Sequence, residues 1–194
     1  MYRKLLPLAV AACGLFATAA QADQTNGWFV NGNVGTAHYK ATVSGVPGSG
    51  TDSNTAFMLN AGYRDQGILG FEAGYTNLGS VTAKDDSGDR AKIKADGWTL
   101  GLNGHFNLTD QWYLSARGGL FLWKLKADAT IGSGSNRATY RASKQALDWY
   151  AGVGTGYDIN RHWSVGAAFD YYKISDHSYD VGSRVFSVNA EYRF

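Results

Sequence analysis

The chain has 194 residues, of which 44% are apolar, 14% aromatic and only 18% charged, and its 25 glycines stand beside two prolines and one cysteine. The aromatic content excludes a disordered chain, the lone Cys13 excludes a disulfide scaffold, and glycines without a three-residue period exclude a collagen. A mean hydropathy of −0.27 excludes a bundle of membrane helices, and the length suits one domain.

Met1 to Lys4 form a short basic segment, Leu5 to Ala20 an apolar stretch, and Ala20-Gln21-Ala22 a small-x-small cleavage site. A secretory signal peptide over residues 1–22 is therefore expected, with residues 23–194 as the exported domain. The stretch is too short for a membrane anchor and carries Pro7 and Gly14. Val10-Ala11-Ala12-Cys13 resembles a lipoprotein cleavage box only faintly, since a cut there leaves very little apolar chain ahead of it. Cleavage after Ala22 removes Arg3 and Lys4, and with them both the net charge of +2 and the only cysteine. A neutral chain with no base-reading motif has no nucleic-acid partner, and export without disulfides points to the periplasm or the outer membrane.

The remainder alternates with a period of two, the signature of strands with two unlike faces. An opening strand runs from Trp28 to about Tyr39, with Asn31 and Asn33 on its polar parity. Next, Phe57, Leu59, Ala61 and Tyr63 alternate with Met58, Asn60, Gly62 and Arg64, and Leu69, Phe71, Ala73 and Tyr75 with Gly70, Glu72, Gly74 and Thr76. The pattern recurs from Trp98 to Phe106, from Leu114 to Leu122, from Trp149 to Tyr157, from Trp163 to Tyr171 and from Phe186 to Phe194. Eight strands result, an even number, as closure of an antiparallel bacterial outer-membrane barrel requires. Short connections at 65–68, 107–111 and 160–162 alternate with long polar ones at 41–53, 79–95, 127–143 and 175–182. The expected fold is an all-β, eight-stranded, up-and-down transmembrane barrel whose four long loops face outward from the cell.

A lipocalin-like barrel shares the alternation, so other features must orient the two faces. Trp98 and Phe106, Trp149 and Tyr157, Trp163 and Tyr171, and Phe186 and Phe194 bracket four strands on the apolar parity, always eight residues apart. At about 3.3 Å per residue and a tilt near 40°, that spans roughly 20 Å along a membrane normal, the separation that two interfacial girdles need. Trp112 joins the same set. The opposite parity is rich in glycine and carries Glu72, Arg117, Asp170 and Glu191, too sparse for a solvated face but suited to a narrow lumen, where Glu72 and Asp170 are expected to pair with Arg117 and Glu191 to join them. The final strand, Ser187 to Phe194, ends on an aromatic, a pattern resembling the signal read by the outer-membrane assembly machinery.

Gly70-Phe71-Glu72-Ala73-Gly74-Tyr75-Thr76-Asn77-Leu78-Gly79, Arg117-Gly118-Gly119-Leu120 and Glu191-Tyr192-Arg193-Phe194 resemble strand motifs of the OmpA-like, opacity-type outer-membrane barrels. The resemblance implies a polar interior closed by ion pairs, with a lumenal acid and an arginine on neighbouring strands, here Glu72 and Arg117. Longer members add a peptidoglycan-binding domain. This chain stops at the barrel, so cell-wall tethering by it is not expected.

His38, His105, His162 and His177 have no spacing suited to a metal on one strand face, and neither metal nor cofactor is expected. His105, with Asn60 and Asn103, belongs to the interior parity as a hydrogen-bonding group. Asp176-His177-Ser178 suggests a lipid hydrolase, but adjacent residues on one strand point to opposite sides and lack triad geometry, so no enzyme is expected. Lys84, Arg90, Lys92 and Lys94, with Arg137, Arg141 and Lys144, are candidate contacts for lipopolysaccharide phosphates or for a host or matrix ligand. A structural or adhesive surface barrel is the leading reading. A small porin-like channel and a lipid A-modifying enzyme are the alternatives.

Overall fold

A computed structural model describes residues 27–43, 49–65, 68–84, 90–131, 138–176 and 179–194; the expected signal peptide lies outside them. Eight strands follow in order: β1 (Gly27–Val43), β2 (Ser49–Asp65), β3 (Leu69–Lys84), β4 (Arg90–Asn107), β5 (Trp112–Ile131), β6 (Ala138–Asp158), β7 (Trp163–Asp176) and β8 (Tyr179–Arg193). Each pairs antiparallel with its sequence neighbours, and β8 closes on β1 from Phe29↔Arg193 to Val43↔Tyr179. Closure leaves no sheet edge, the condition for strands in hydrocarbon, where no water can satisfy a backbone group.

The turns at one end are short because side chains take over backbone hydrogen bonds. Asn160 Oδ1 accepts from the backbone N–H groups of His162 and Trp163 at 2.9 and 2.8 Å. Thr109 Oγ1 accepts from the N–H of Trp112 at 3.0 Å, and Ile68 N–H donates to the carbonyl of Asp65 at 3.1 Å. Such Asx- and Ser/Thr-type turns suit polar residues of short reach. At the other end the segments expected as long loops are largely strand. β3 continues to Lys84 and β4 starts at Arg90, while β5 continues to Ile131 and β6 starts at Ala138. The barrel wall thus rises beyond the membrane-crossing part of the strands as paired hairpins.

The two strand faces change character with height. Below the row of Trp98, Leu122 and Leu147, outward residues are apolar and exposed, Leu102 at 70% and Trp98 at 64%, whereas inward residues such as Asn103, His105 and Glu191 are buried. Above that row the sense reverses. Outward positions on β5 become Lys124, Lys126 and Asp128, and inward ones become Trp123 and Leu125, continuing from Phe121 just below the row. On β7, Tyr172 and Ile174 turn inward and Lys173 outward; on β8, Val185 turns inward and Arg184 outward. A wall in hydrocarbon hides its polar groups inside, whereas a wall in water hides its apolar ones. The upper lumen accordingly holds an apolar cluster of Met58, Leu78, Phe121, Trp123, Tyr150, Tyr172, Ile174 and Val185.

Candidate functional site

The lower lumen is built from residues that meet across glycines. Arg117 on β5, Gly152 on β6 and Asp170 on β7 share one row of the sheet. With no side chain on the middle strand, Arg117 spans it and donates from Nε to Asp170 Oδ1 and from Nη2 to Oδ2, both at 2.7 Å. A Cβ at Gly152 would lie 1.9 Å from Asp170 Oδ1, so glycine is required for this close approach. Glu72 on β3 is separated from Tyr150 on β6 by Gly101 and Gly119. Across that gap the Tyr150 hydroxyl donates to Glu72 Oε1 at 2.9 Å, and Asn103 Nδ2 donates to Oε2 at 2.9 Å. Arg64 and Asn103 likewise face each other across Gly70.

Of the two acids expected to pair with Arg117, Asp170 takes it in bidentate form, while Glu72 makes its hydrogen bonds to Asn103 and Tyr150 instead, a correction of the expected Glu72–Arg117 pair. The register decides it, because the gap left by Gly152 leads from Arg117 to Asp170. Glu191 is joined to Glu72 through Asn103 and Arg64, and pairs with the latter. Arg64 donates from Nη1 and Nη2 to Glu191 at 2.6 and 2.8 Å, and from Nε to Asn103 Oδ1 at 2.5 Å, with its guanidinium 3.9 Å above the Phe29 ring. Arg193 Nη2 reaches Asp158 Oδ1 at 2.5 Å and Ser164 Oγ at 2.7 Å. Asp158 Oδ2 also accepts from Asn107 at 2.9 Å and lies 3.2 Å from His105 Nε2, and the His105 ring stacks on Tyr113 at 3.9 Å. Arg64, Asp158 and Arg193 were not singled out in the sequence, although the first extends the parity of Asn60 and Gly62.

The expected polar interior is therefore only half of the lumen. Above Arg117, Tyr150 stacks on Tyr172 at 5.7 Å, Phe121 meets Tyr172 edge-on at 5.0 Å, and the Trp123 indole donates to Asp148 Oδ2 at 2.8 Å. Asp148 also accepts from Ser175 N–H at 2.8 Å and Ser175 Oγ at 2.9 Å, tying β6 to β7 beyond the end of their ladder at Tyr150↔Tyr172.

On the outside, Trp98, Trp112, Trp149, Trp163, Phe186 and Phe194 are exposed, and Phe106, Tyr157 and Tyr171 half-buried, all facing outward. Aromatic contacts link them sideways: Trp149 with Tyr171 at 5.3 Å, Trp112 with Tyr157 at 5.5 Å and Trp163 with Tyr192 at 5.0 Å. Trp28, Tyr63, Tyr75 and Tyr192 join the rows through edge-on contacts, Trp28 with Tyr63 at 5.5 Å and Tyr75 with Trp98 at 5.4 Å. Of the candidate basic contacts, Arg141 is highly exposed and lies 3.6 Å from Asp128, and Lys94 lies 3.9 Å from Asp96. Lys84 and Arg90 are opposite each other at the ends of β3 and β4, and Lys92 is exposed. Arg137 lies outside the described residues, as do His177 and Ser178 of the hydrolase-like triplet.

A closed antiparallel barrel that turns apolar side chains outward between two rows of aromatics is an outer-membrane β-barrel. The chain belongs to the outer membrane protein beta-barrel domain family, whose model matches residues 8–194, and its location is the bacterial outer membrane. It is 28% identical over 201 residues to outer membrane protein A of Yersinia pseudotuberculosis, covering all of this chain and 56% of that protein. The chain thus spans about half the length of the curated relatives it matches. Among solved structures it resembles Ail, the attachment invasion locus protein of Yersinia pestis, in complex with the heparin analogue sucrose octasulfate, at a TM-score of 0.58 and 17% identity, covering 87% of this chain and 99% of that one. It also resembles the outer membrane protease OmpT of Escherichia coli at a TM-score of 0.57 and 12% identity, covering 90% and 100%. Likeness at these identities shows the fold alone.

Proposed function

We propose that the protein is a non-enzymatic, non-conducting surface barrel that serves the outer membrane structurally and adhesively through its raised hairpins. The observation that carries this reading is the doubly filled lumen. An apolar cluster around Phe121, Trp123, Tyr150 and Tyr172 stands above the ion pairs Arg117–Asp170 and Arg64–Glu191. Eight strands leave space inside for side chains only, so these layers oppose a water-filled path. Function then moves to the extracellular wall and hairpins, where Lys84, Arg90, Lys92, Lys94 and Arg141 stand on strands β3, β4 and β6; Arg137, outside the described residues, is a sequence candidate for the same role. Ail binds a sulfated sugar, and a basic hairpin cluster here is suited by charge to the same class of surface polyanion. The amphipathic β8, with Tyr192 and Phe194 facing outward, is the segment offered to the assembly machinery.

The test has two arms. In planar bilayers the wild type is expected to give no discrete conductance steps, while Arg117→Ala combined with Tyr172→Ala is expected to give them. Cells carrying the protein with its β3–β4 and β5–β6 hairpins shortened are expected to lose adherence to matrix and host cells. Conductance by the wild type would favour the channel, a reading to which the buried, unpartnered Asn60 Nδ2, Thr99 Oγ1 and Ser187 Oγ lend polar atoms. A change in lipid A mass on expression of the protein would favour the enzyme.

A further inference from the structure

The ladders that close the barrel do not all reach the same height. Pairing of β6 with β7 ends at Tyr150↔Tyr172, level with the outward aromatics Trp149 and Tyr171, although β6 begins at Ala138 and β7 runs on to Asp176. Pairing of β2 with β3 ends at Phe57↔Asn77, although β2 begins at Ser49 and β3 runs on to Lys84. The other ladders continue to the strand ends, among them Lys84↔Arg90, Ile131↔Ala138, Asp176↔Tyr179 and Thr42↔Ser49. Above the membrane the wall is therefore two leaves, β3 to β6 and β7 through β8 and β1 to β2, with seams on opposite sides of the ring. Hydrocarbon forbids free strand edges and water permits them, so the seams begin where the lipid-facing wall stops.

The two seams are fastened differently. Across the β6–β7 seam the Asp148 carboxylate of one leaf accepts from Ser175 N–H at 2.8 Å and Ser175 Oγ at 2.9 Å of the other, while Trp123 of its own leaf donates to it at 2.8 Å. Asp148 is only half-buried, so water can replace these bonds. On the β2–β3 side, Tyr39 of β1 donates to the Leu78 carbonyl, beside the bulge between Asn77 and Ser80 with Gly79 at φ +92°. A bulge bends its strand, and a glycine absorbs a change of backbone angle that other residues resist. Tyr172, at the foot of the first seam, touches Phe121 edge-on at 5.0 Å and stacks on Tyr150 at 5.7 Å. These ring contacts join the leaves at their base and set no register between their tops. We propose that the extracellular wall is a two-leaved clamp, with Asp148 as its clasp and the Gly79 bulge as its hinge. Its open form presents Trp123, Tyr172 and Ile174, fully buried in the closed one, as an apolar face. What that face holds rests on the adhesive reading; the motion does not.

Spin-label distances in the full chain, folded in lipid vesicles and read by double electron–electron resonance, test the motion. One label pair, at Lys126 of β5 and Arg184 of β8, straddles the clasp seam, because their outward neighbours Ser143 and Tyr171 lie on β6 and β7. A second pair, at Ser80 of β3 and Ser143 of β6, spans a single leaf along one row. The first pair is expected to give a short distance with a minor longer one in the otherwise wild-type protein. Asp148→Ala is expected to shift that balance toward the longer distance by at least about tenfold, since hydrogen bonds to a charged group are lost. The second pair is expected to stay narrow in both proteins. A single short distance across the seam, unchanged by Asp148→Ala, would overturn the proposal. Equal broadening of the pair within one leaf would overturn it too, because the wall would then melt rather than open. If Asp148→Ala does not fold, Ser175→Ala removes one of the three bonds and should give the same shift in smaller measure. The distances are read with no partner present, so the motion can fail while the adhesive reading stands, and the reverse.

Discussion

At the scale of single residues, the charged groups of the lumen owe their pairing to side chains that are missing. Gly152 lets Arg117 close on Asp170, and Gly101 with Gly119 lets Glu72 reach Tyr150. Gly152→Ala drives a methyl group into Asp170 Oδ1, so the variant is expected to unfold well below the wild type while Gly118→Ala, facing lipid with its nearest neighbour 3.3 Å away, changes little; midpoints of heat-modified gel migration measure both. Arg64→Ala leaves Glu191 buried with only Arg193 near, at 3.7 Å, and is expected to cost about 3–5 kcal/mol in urea unfolding from micelles. Replacing both Arg64 and Glu191 with leucine should recover most of that loss, since no lone charge remains. Arg117, Asp170, Glu72 and Glu191 were legible as lumenal from parity alone. Their partners were legible only in part: Arg117 with Asp170 was expected, but Glu72 with Tyr150 and Glu191 with Arg64 were not, because pairing across a glycine depends on strand register, which alternation does not encode.

At the scale of elements, the hairpins that rise from the membrane show where the period-two signal stops. In a segment such as Arg90 to Asp96 the wall has water outside and a narrow interior, so the lipid-facing apolar parity disappears and the sequence resembles a polar loop. The structure keeps it as strand because β4 pairs residue by residue with β5 from Arg90↔Thr130 to Asn107↔Tyr113. One local device adjusts the opposite edge. β3 shifts register between Asn77 and Ser80, with Gly79 at φ +92° donating its N–H to Asn77 Oδ1 at 2.9 Å. A side chain there meets both a backbone conformation that L residues avoid and Asn54 Cβ at 2.8 Å. Gly79→Ala is expected to cost about 1–3 kcal/mol by urea unfolding. Amide exchange should rise along β3 and β4 above the bulge and stay unchanged near the periplasmic turns.

At the scale of the whole molecule, one closed sheet is solvated in two opposite ways along its height. The lower part follows membrane rules and the upper part those of a water-soluble barrel. Substitutions should then change sign with height. Leu102→Arg, at a fully lipid-facing position, is expected to cost about 2–4 kcal/mol in bilayer vesicles, whereas an arginine at Lys126 is expected to be neutral; urea titration of vesicle-folded protein distinguishes them. The barrel, its strand number and its lipid face could be read from the sequence through Phe57 to Tyr63 and Trp98 to Phe106, where apolar parity is uninterrupted. The upper apolar cluster could not. Trp123 stands on the same parity as Arg117, and its height above the Leu122 row accounts for an aromatic in place of a charge there, with Phe121 just beneath in the same cluster.

The reversal of polarity between Leu122 and Lys124 also acts as a draught mark on a hull. Sliding the barrel outward by one row would expose Leu122 and Trp98 to water, and sliding it inward would draw Lys124 and Asp96 into hydrocarbon. Both moves are uphill, so the protein rides at one fixed immersion depth. A bilayer of the wrong thickness must bend to meet the barrel, because the barrel has little freedom to tilt or sink to meet the bilayer.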